Sequence, residues 1–126
     1  MARRDLTGAV DFAHLESYAA GDVVLIEEVL SMFREQAALW VRLLDPFGPE
    51  GGWRDAAHTL KGAALGVGAF GLAEACGAAE AAAEADGGMK SVQLERVRDA
   101  LDAALGDIAA YLHESALRSL KGPVAK

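Results

Sequence analysis

The chain has a single cysteine, Cys76, three prolines, and an aromatic content of only 6% over 126 residues. One cysteine excludes an intrachain disulfide and leaves any thiolate zinc site without its second sulfur, so a reducing compartment is expected. Long apolar runs are also missing. The longest uncharged stretch, 62–73, is interrupted by Gly66, Gly68 and Gly71, and it falls short of the roughly 18 residues that suggest a membrane span. Arg3 and Arg4 are followed by no apolar segment, whereas a signal peptide needs a core of roughly 7–15 such residues. A cytoplasmic protein without a membrane partner is therefore expected. Basic residues are in deficit, 12 against 19 acidic, for a net charge of −7. That balance argues against a mainly electrostatic grip on nucleic acid.

What is present is enough for one core. Hydrophobic residues make up 52% and charged residues 25%, the composition of a globular domain of ordinary single-domain size. Alanine is abundant and no window shows the β-branched alternation of a strand, so the class is all-α. Asp11 can cap a short first helix over Phe12–Ala19, and Asp22, after the Gly21 breaker, can cap the second. Ile26, Leu30, Phe33, Ala37, Trp40 and Leu44 step by four and three along one stripe of that second helix. The Pro- and Gly-rich segment 45–52 ends it.

A third helix starts near Trp53 and buries Trp53, Ala57, Leu60, Ala64 and Val67, with a break expected around Gly66–Gly68. Phe70, Leu72, Ala73, Cys76, Ala79 and Ala83 mark the apolar face of a fourth helix that stops at Asp86-Gly87-Gly88. Ser91 is read as the cap of a fifth, whose stripe is Leu94, Val97, Leu101, Ala104, Ile108 and Tyr111, with Leu105 and Leu112 alongside. Short connections favour antiparallel neighbours. The expected architecture is an up-and-down antiparallel four-helix bundle over 9–120 with a short additional N-terminal helix. Residues 1–8 are read as a tail and 121–126 as a disordered tail.

One segment is neither core nor plain surface. At about 100° per residue, His58 lies about 140° from the core direction of the third helix, Gly62 about 180° and Lys61 about 80°. With Leu65, they form one outward patch. A neutral imidazole keeps a lone pair on one ring nitrogen and, with an ordinary pKa of about 6.5, can attack a phosphoryl group without a separate base. A phosphorylated imidazole is dianionic, and a lysine about 5 Å away attracts each charge by roughly 1–3 kcal/mol. Gly62 costs about 1 kcal/mol relative to Ala in a helix, a cost that makes sense if a partner must come down onto the helix surface.

Other signals read as structural. His14 and His113 lack the Lys-Gly pattern and are taken as surface or cap residues, and Cys76 as an inert buried thiol. The pairs Asp11/His14 and Asp55/His58 have chelating spacing, but a bundle metal site needs further inward acids. None is seen on the apolar stripes, so no metal is expected. Glu74, Glu80, Glu84 and Asp86 are read as a solvated face of the fourth helix.

The run Ala57-His58-Thr59-Leu60-Lys61-Gly62-Ala63-Ala64, with Gly66-Val67-Gly68-Ala69 and Leu72 after it, resembles the signature of histidine-containing phosphotransfer (HPt) domains. The Val10-Asp11-Phe12 opening, the Gly21-Asp22 break and the small-residue fourth helix extend the likeness over roughly 9–117. Ala63 stands where the family often has Ser. The resemblance implies a phosphorelay intermediate of two-component signalling, a phosphocarrier and not an enzyme, without an ATP-binding kinase domain. His58 would take a phosphoryl group on Nε2 from a receiver-domain aspartyl phosphate and pass it to another receiver. Lys61 would stabilise the phosphate, and Gly62 would give clearance. The docking rim would be Gly62, Leu65, Arg54 and Asp55. Partners would be response-regulator receiver domains, such as that of a hybrid histidine kinase. The chain itself would need no cofactor, Mg2+ residing on the receiver, and a monomer is expected because one chain completes the core. The alternative is a helical adaptor that docks a receiver or another signalling protein without carrying phosphate.

Overall fold

The computed structural model describes residues 6–121. Its helices are α1 (Phe12–Tyr18), α2 (Val23–Arg42), α3 (Glu50–Val67), α4 (Phe70–Ala81) and α5 (Gly87–Lys121), and the described residues contain no strand. Carboxylates set three helix starts by accepting a backbone N–H of the first turn that would otherwise lack a partner. Asp11 accepts from His14 at 3.1 Å and Asp22 from Leu25 at 3.1 Å. Asp86 accepts from Met89 at 2.8 Å.

The cap at Asp86 corrects the assignment of Ser91. Both glycines fall within the first turn of α5, and the Ser91 hydroxyl donates back to the Gly87 carbonyl at 2.8 Å. Helix α4 stops at Ala81, earlier than the acidic-glycine signal suggests, and turns fill the gap. Helix α3 runs unbroken through Gly66 and ends at Gly68, which has φ +84°. A Cβ there would lie 2.8 Å from the Asp11 carbonyl, while the Gly68 carbonyl accepts the Asp11 N–H at 2.9 Å. The left-handed backbone and the close approach of α1 both require glycine at this turn.

Helix α2 packs on α3, α3 on α4 and α4 on α5, and α5 returns to α2, so four helices close a ring while α1 lies against α3. The core takes the expected stripes: Ile26, Leu30, Phe33 and Ala37 from α2, Trp53, Ala57, Leu60, Ala64 and Val67 from α3, and Leu94 through Tyr111 from α5. Leu44 is buried as well, although it lies past the end of α2. Each such fully buried large side chain contributes about 1.5–3 kcal/mol. The Trp53 indole satisfies its one donor by bonding the Ala79 carbonyl at 2.7 Å, which ties α3 to α4. Phe12 stacks on Tyr111 with centroids 4.3 Å apart, which fixes α1 to α5.

Two side chains depart from the apolar reading. Phe70, assigned to the core, is 45% exposed at the first turn of α4, its ring meeting that of His14 edge-on at 5.4 Å. Asp107 is an inward acid that the stripe pattern does not reveal. It is 1% exposed and accepts the Thr7 N–H at 2.8 Å, the Thr7 hydroxyl at 3.0 Å and the Ala9 N–H at 2.9 Å. Three donors offset its desolvation. They also fasten Thr7, which the sequence reading places in a tail, to α5. Of that segment, residues 1–5 lie outside the described residues, as do residues 122–126 of the C-terminal tail.

Candidate functional site

The turn at Gly68-Ala69 makes α3 and α4 an antiparallel hairpin, and its register fixes which side chains face each other. Residues equally distant from Ala69 pair across it: Lys61 with Gly77, His58 with Glu80, and Arg54 with Glu84. The contacts follow that register. Lys61 Cδ lies 3.7 Å from the place a Gly77 Cβ would occupy, an ordinary contact distance, so the lysine stem runs along α4 beside Gly77. Its Nζ reaches Glu80 Oε1 at 3.2 Å. The other oxygen, Oε2, lies 3.1 Å from His58 Nδ1. Arg54 Nη2 contacts Glu50 Oε2 at 3.2 Å and Glu84 Oε2 at 3.7 Å.

One carboxylate therefore bridges the imidazole and the ammonium. Glu80, read from sequence as part of a solvated face, has a side chain only 25% exposed and belongs to the site. Its pKa is held below the ordinary 4.5, chiefly by the hydrogen bond from Lys61, with the charges of Lys61 and His58 adding and partial burial opposing. The sign follows directly. A carboxyl whose folded pKa is lowered contributes stability that is full above its ordinary range and lost as pH falls through the lowered value. At neutral pH Glu80 is ionised and can only accept, so the ring proton of neutral His58 sits on Nδ1. The lone pair then belongs to Nε2, and the His58 side chain is 69% exposed. A fixed tautomer with an open nucleophilic nitrogen suits attack on an electrophile carried by another molecule.

The remaining candidate residues surround this centre unevenly. Gly62 is exposed, and a Cβ built on it meets nothing within 4 Å. Leu65 is 46% exposed and, with Lys61, Phe70, Gly71, Ala73, Glu74 and Gly77, lines an open groove of about 610 Å³ on the α3/α4 side. Asp55 is exposed and, about 60° round the helix from His58, sits on the flank away from Lys61. Cys76 is buried behind the site. Burial pushes its thiol up to about 12, against a smaller lowering by Lys61, so it stays an unreactive thiol. Among the described residues, no group of three or more His, Cys, Asp or Glu side chains is placed to hold a metal ion.

A family model for the Hpt domain matches residues 26–111, most of the chain and all of the site. The chain belongs to the Hpt family. This Hpt domain is also similar to a solved structure, the histidine phosphotransferase ShpA from Caulobacter crescentus. The two are 62% identical, with a TM-score of 0.74, and the match covers 90% of this chain and 99% of that one. No curated protein matches. Hpt proteins are phosphocarriers in phosphorelays rather than kinases, and they interact with receiver domains. Histidine phosphotransfer is accordingly the function of this Hpt domain. No helix among the described residues is long and apolar enough to cross a membrane.

Proposed function

We propose that this domain carries a phosphoryl group on Nε2 of His58, accepting it from an aspartyl phosphate on one receiver domain and delivering it to another. The observation that supports this most is the exposed His58 ring with Nδ1 paired to Glu80, which leaves the lone pair to Nε2. Lys61 then pairs with the phosphoryl oxygens, and Gly62 lets the receiver's active site approach the helix. Leu65, Arg54 and Asp55 form the rim of the docking surface. The receiver brings the Mg2+ that its aspartate chemistry needs, and this chain contributes no cofactor and no ATP site. The domain works as a monomeric cytoplasmic carrier and not as an enzyme.

Mixing the domain with a receiver phosphorylated on its aspartate is expected to transfer label to the domain as an acid-labile, alkali-stable phosphate. A stable complex with no transferred label would contradict the carrier and favour the adaptor.

A further inference from the structure

We propose that Glu80 is a positioning residue that keeps the proton on His58 Nδ1 through the whole transfer cycle and yields Lys61 to the phosphoryl group when it arrives. The inference rests on His58 being the carrier and concerns what makes that carrier reversible. In the forward step the Nε2 lone pair forms the N–P bond while the P–O bond to the receiver aspartate breaks, and the aspartate leaves as a carboxylate. No proton is gained or lost, so the ring ends as an imidazolium substituted at Nε2 and protonated at Nδ1. A carboxylate oxygen 3.1 Å from Nδ1 faces that new positive charge directly and stabilises it.

In the return step a carboxylate oxygen of the receiver aspartate forms the new O–P bond while the N–P bond breaks and its electron pair goes back to Nε2. With the proton still on Nδ1 the leaving group is neutral imidazole. Without it the leaving group would be imidazolate, a far stronger base and a poor leaving group. Holding the proton is therefore what keeps the phosphoryl group transferable as pH rises.

The second part of the inference comes from the other oxygen. Lys61 Nζ is paired with Glu80 Oε1 at 3.2 Å before any phosphoryl group is present. A dianionic phosphoryl group on Nε2 is a stronger partner for the ammonium than one carboxylate oxygen. Lys61 turns to it, and Glu80 then has one partner left, the ring N–H. The charged groups around the ring are few: Arg54, Asp55 and Lys61 from α3, Glu80 from α4, and Glu84 from the turn after it. Arg54 is engaged by Glu50 and Glu84. Asp55 lies on the opposite flank of α3, so Glu80 is the acid placed at Nδ1.

The test uses the intact domain, labelled through a phosphorylated receiver, isolated, and returned to unphosphorylated receiver with Mg2+ between pH 6.5 and 9. The ratio of the Glu80→Gln rate to the wild-type rate cancels the receiver's own titration. That ratio is expected to fall by about tenfold per pH unit on the alkaline side, the slope for loss of one ring proton. A ratio that stays flat with pH overturns the inference, even if both rates are low.

A second variant reads the same contact without transfer. In ¹⁵N spectra of the unphosphorylated ring, wild type is expected in the Nδ1–H form and Glu80→Ala in the Nε2–H form that free histidine side chains favour. The same tautomer in both overturns it. If wild type accepts no label at all, the carrier reading fails and not this one.

Discussion

A His58→Gln protein is expected to fold like wild type and to take no phosphoryl group from a receiver, its transfer rate falling by at least about 10⁴-fold, the scale on which loss of a nucleophile is felt. Both halves follow from where the residue sits. The side chain is 69% exposed and supports no part of the core, so the change in stability should stay within about 0.5 kcal/mol. The glutamine amide can still donate to Glu80, which preserves the local contact, but its nitrogen lone pair is delocalised and cannot attack phosphorus. His14 and His113 remain, both exposed, and neither has a Lys and a Gly three and four residues further on. Thermal melting and single-turnover labelling check the two halves separately. Label remaining on the variant would move the site elsewhere.

Gly62 should separate docking from folding. A Cβ at this position meets nothing, so Gly62→Ala is expected to stabilise the protein by about 1 kcal/mol through helix propensity, with transfer within a few-fold of wild type. Gly62→Gln also leaves the core untouched but puts a long side chain beside His58, on the outermost line of α3. A receiver held off by about an ångström loses in-line geometry, and a displacement of that size costs about 10²-fold. Transfer should therefore fall by roughly that factor while the melting temperature holds. Equal rates for the two variants would show that receivers do not approach over this turn.

The helices were legible because their stripes are regular. Every α3 position read as core from its spacing is buried, and the outward angle of His58 follows from the same arithmetic. The misread positions share a physical cause: an apolar stripe reports burial for one helix at a time and carries nothing about the segments that pack across it. Phe70 looks like a core residue by hydrophobicity, yet it opens α4 beside the turn, where it stays 45% exposed with His14 against its ring. Asp107 looks like an ordinary surface acid, but the Thr7 and Ala9 backbone folds back to meet it across most of the chain. Asp86 takes the cap from Ser91 because its carboxylate reaches the Met89 N–H, while Gly87 leaves the room that the Phe47 ring occupies and a Cβ would fill.

Glu80 is the most instructive case. Its own helix shows only an acid among other acids, and the pairing with His58 appears when α3 and α4 are folded about Gly68-Ala69. The break expected at Gly66–Gly68 lies beside that fold point, and Arg54 with Glu84 and Lys61 with Gly77 repeat the register. Charge complementarity across a hairpin of two small-residue helices was the signal that could have found it.

The central claim concerns one nitrogen atom, and ¹⁵N–³¹P correlation spectra of the ¹⁵N-labelled domain, phosphorylated by a receiver, test it most directly. The account predicts a phosphoryl group coupled to Nε2 of His58, with Nδ1 still bearing its proton. Phosphorus coupled to Nδ1, or to any other residue, would contradict it.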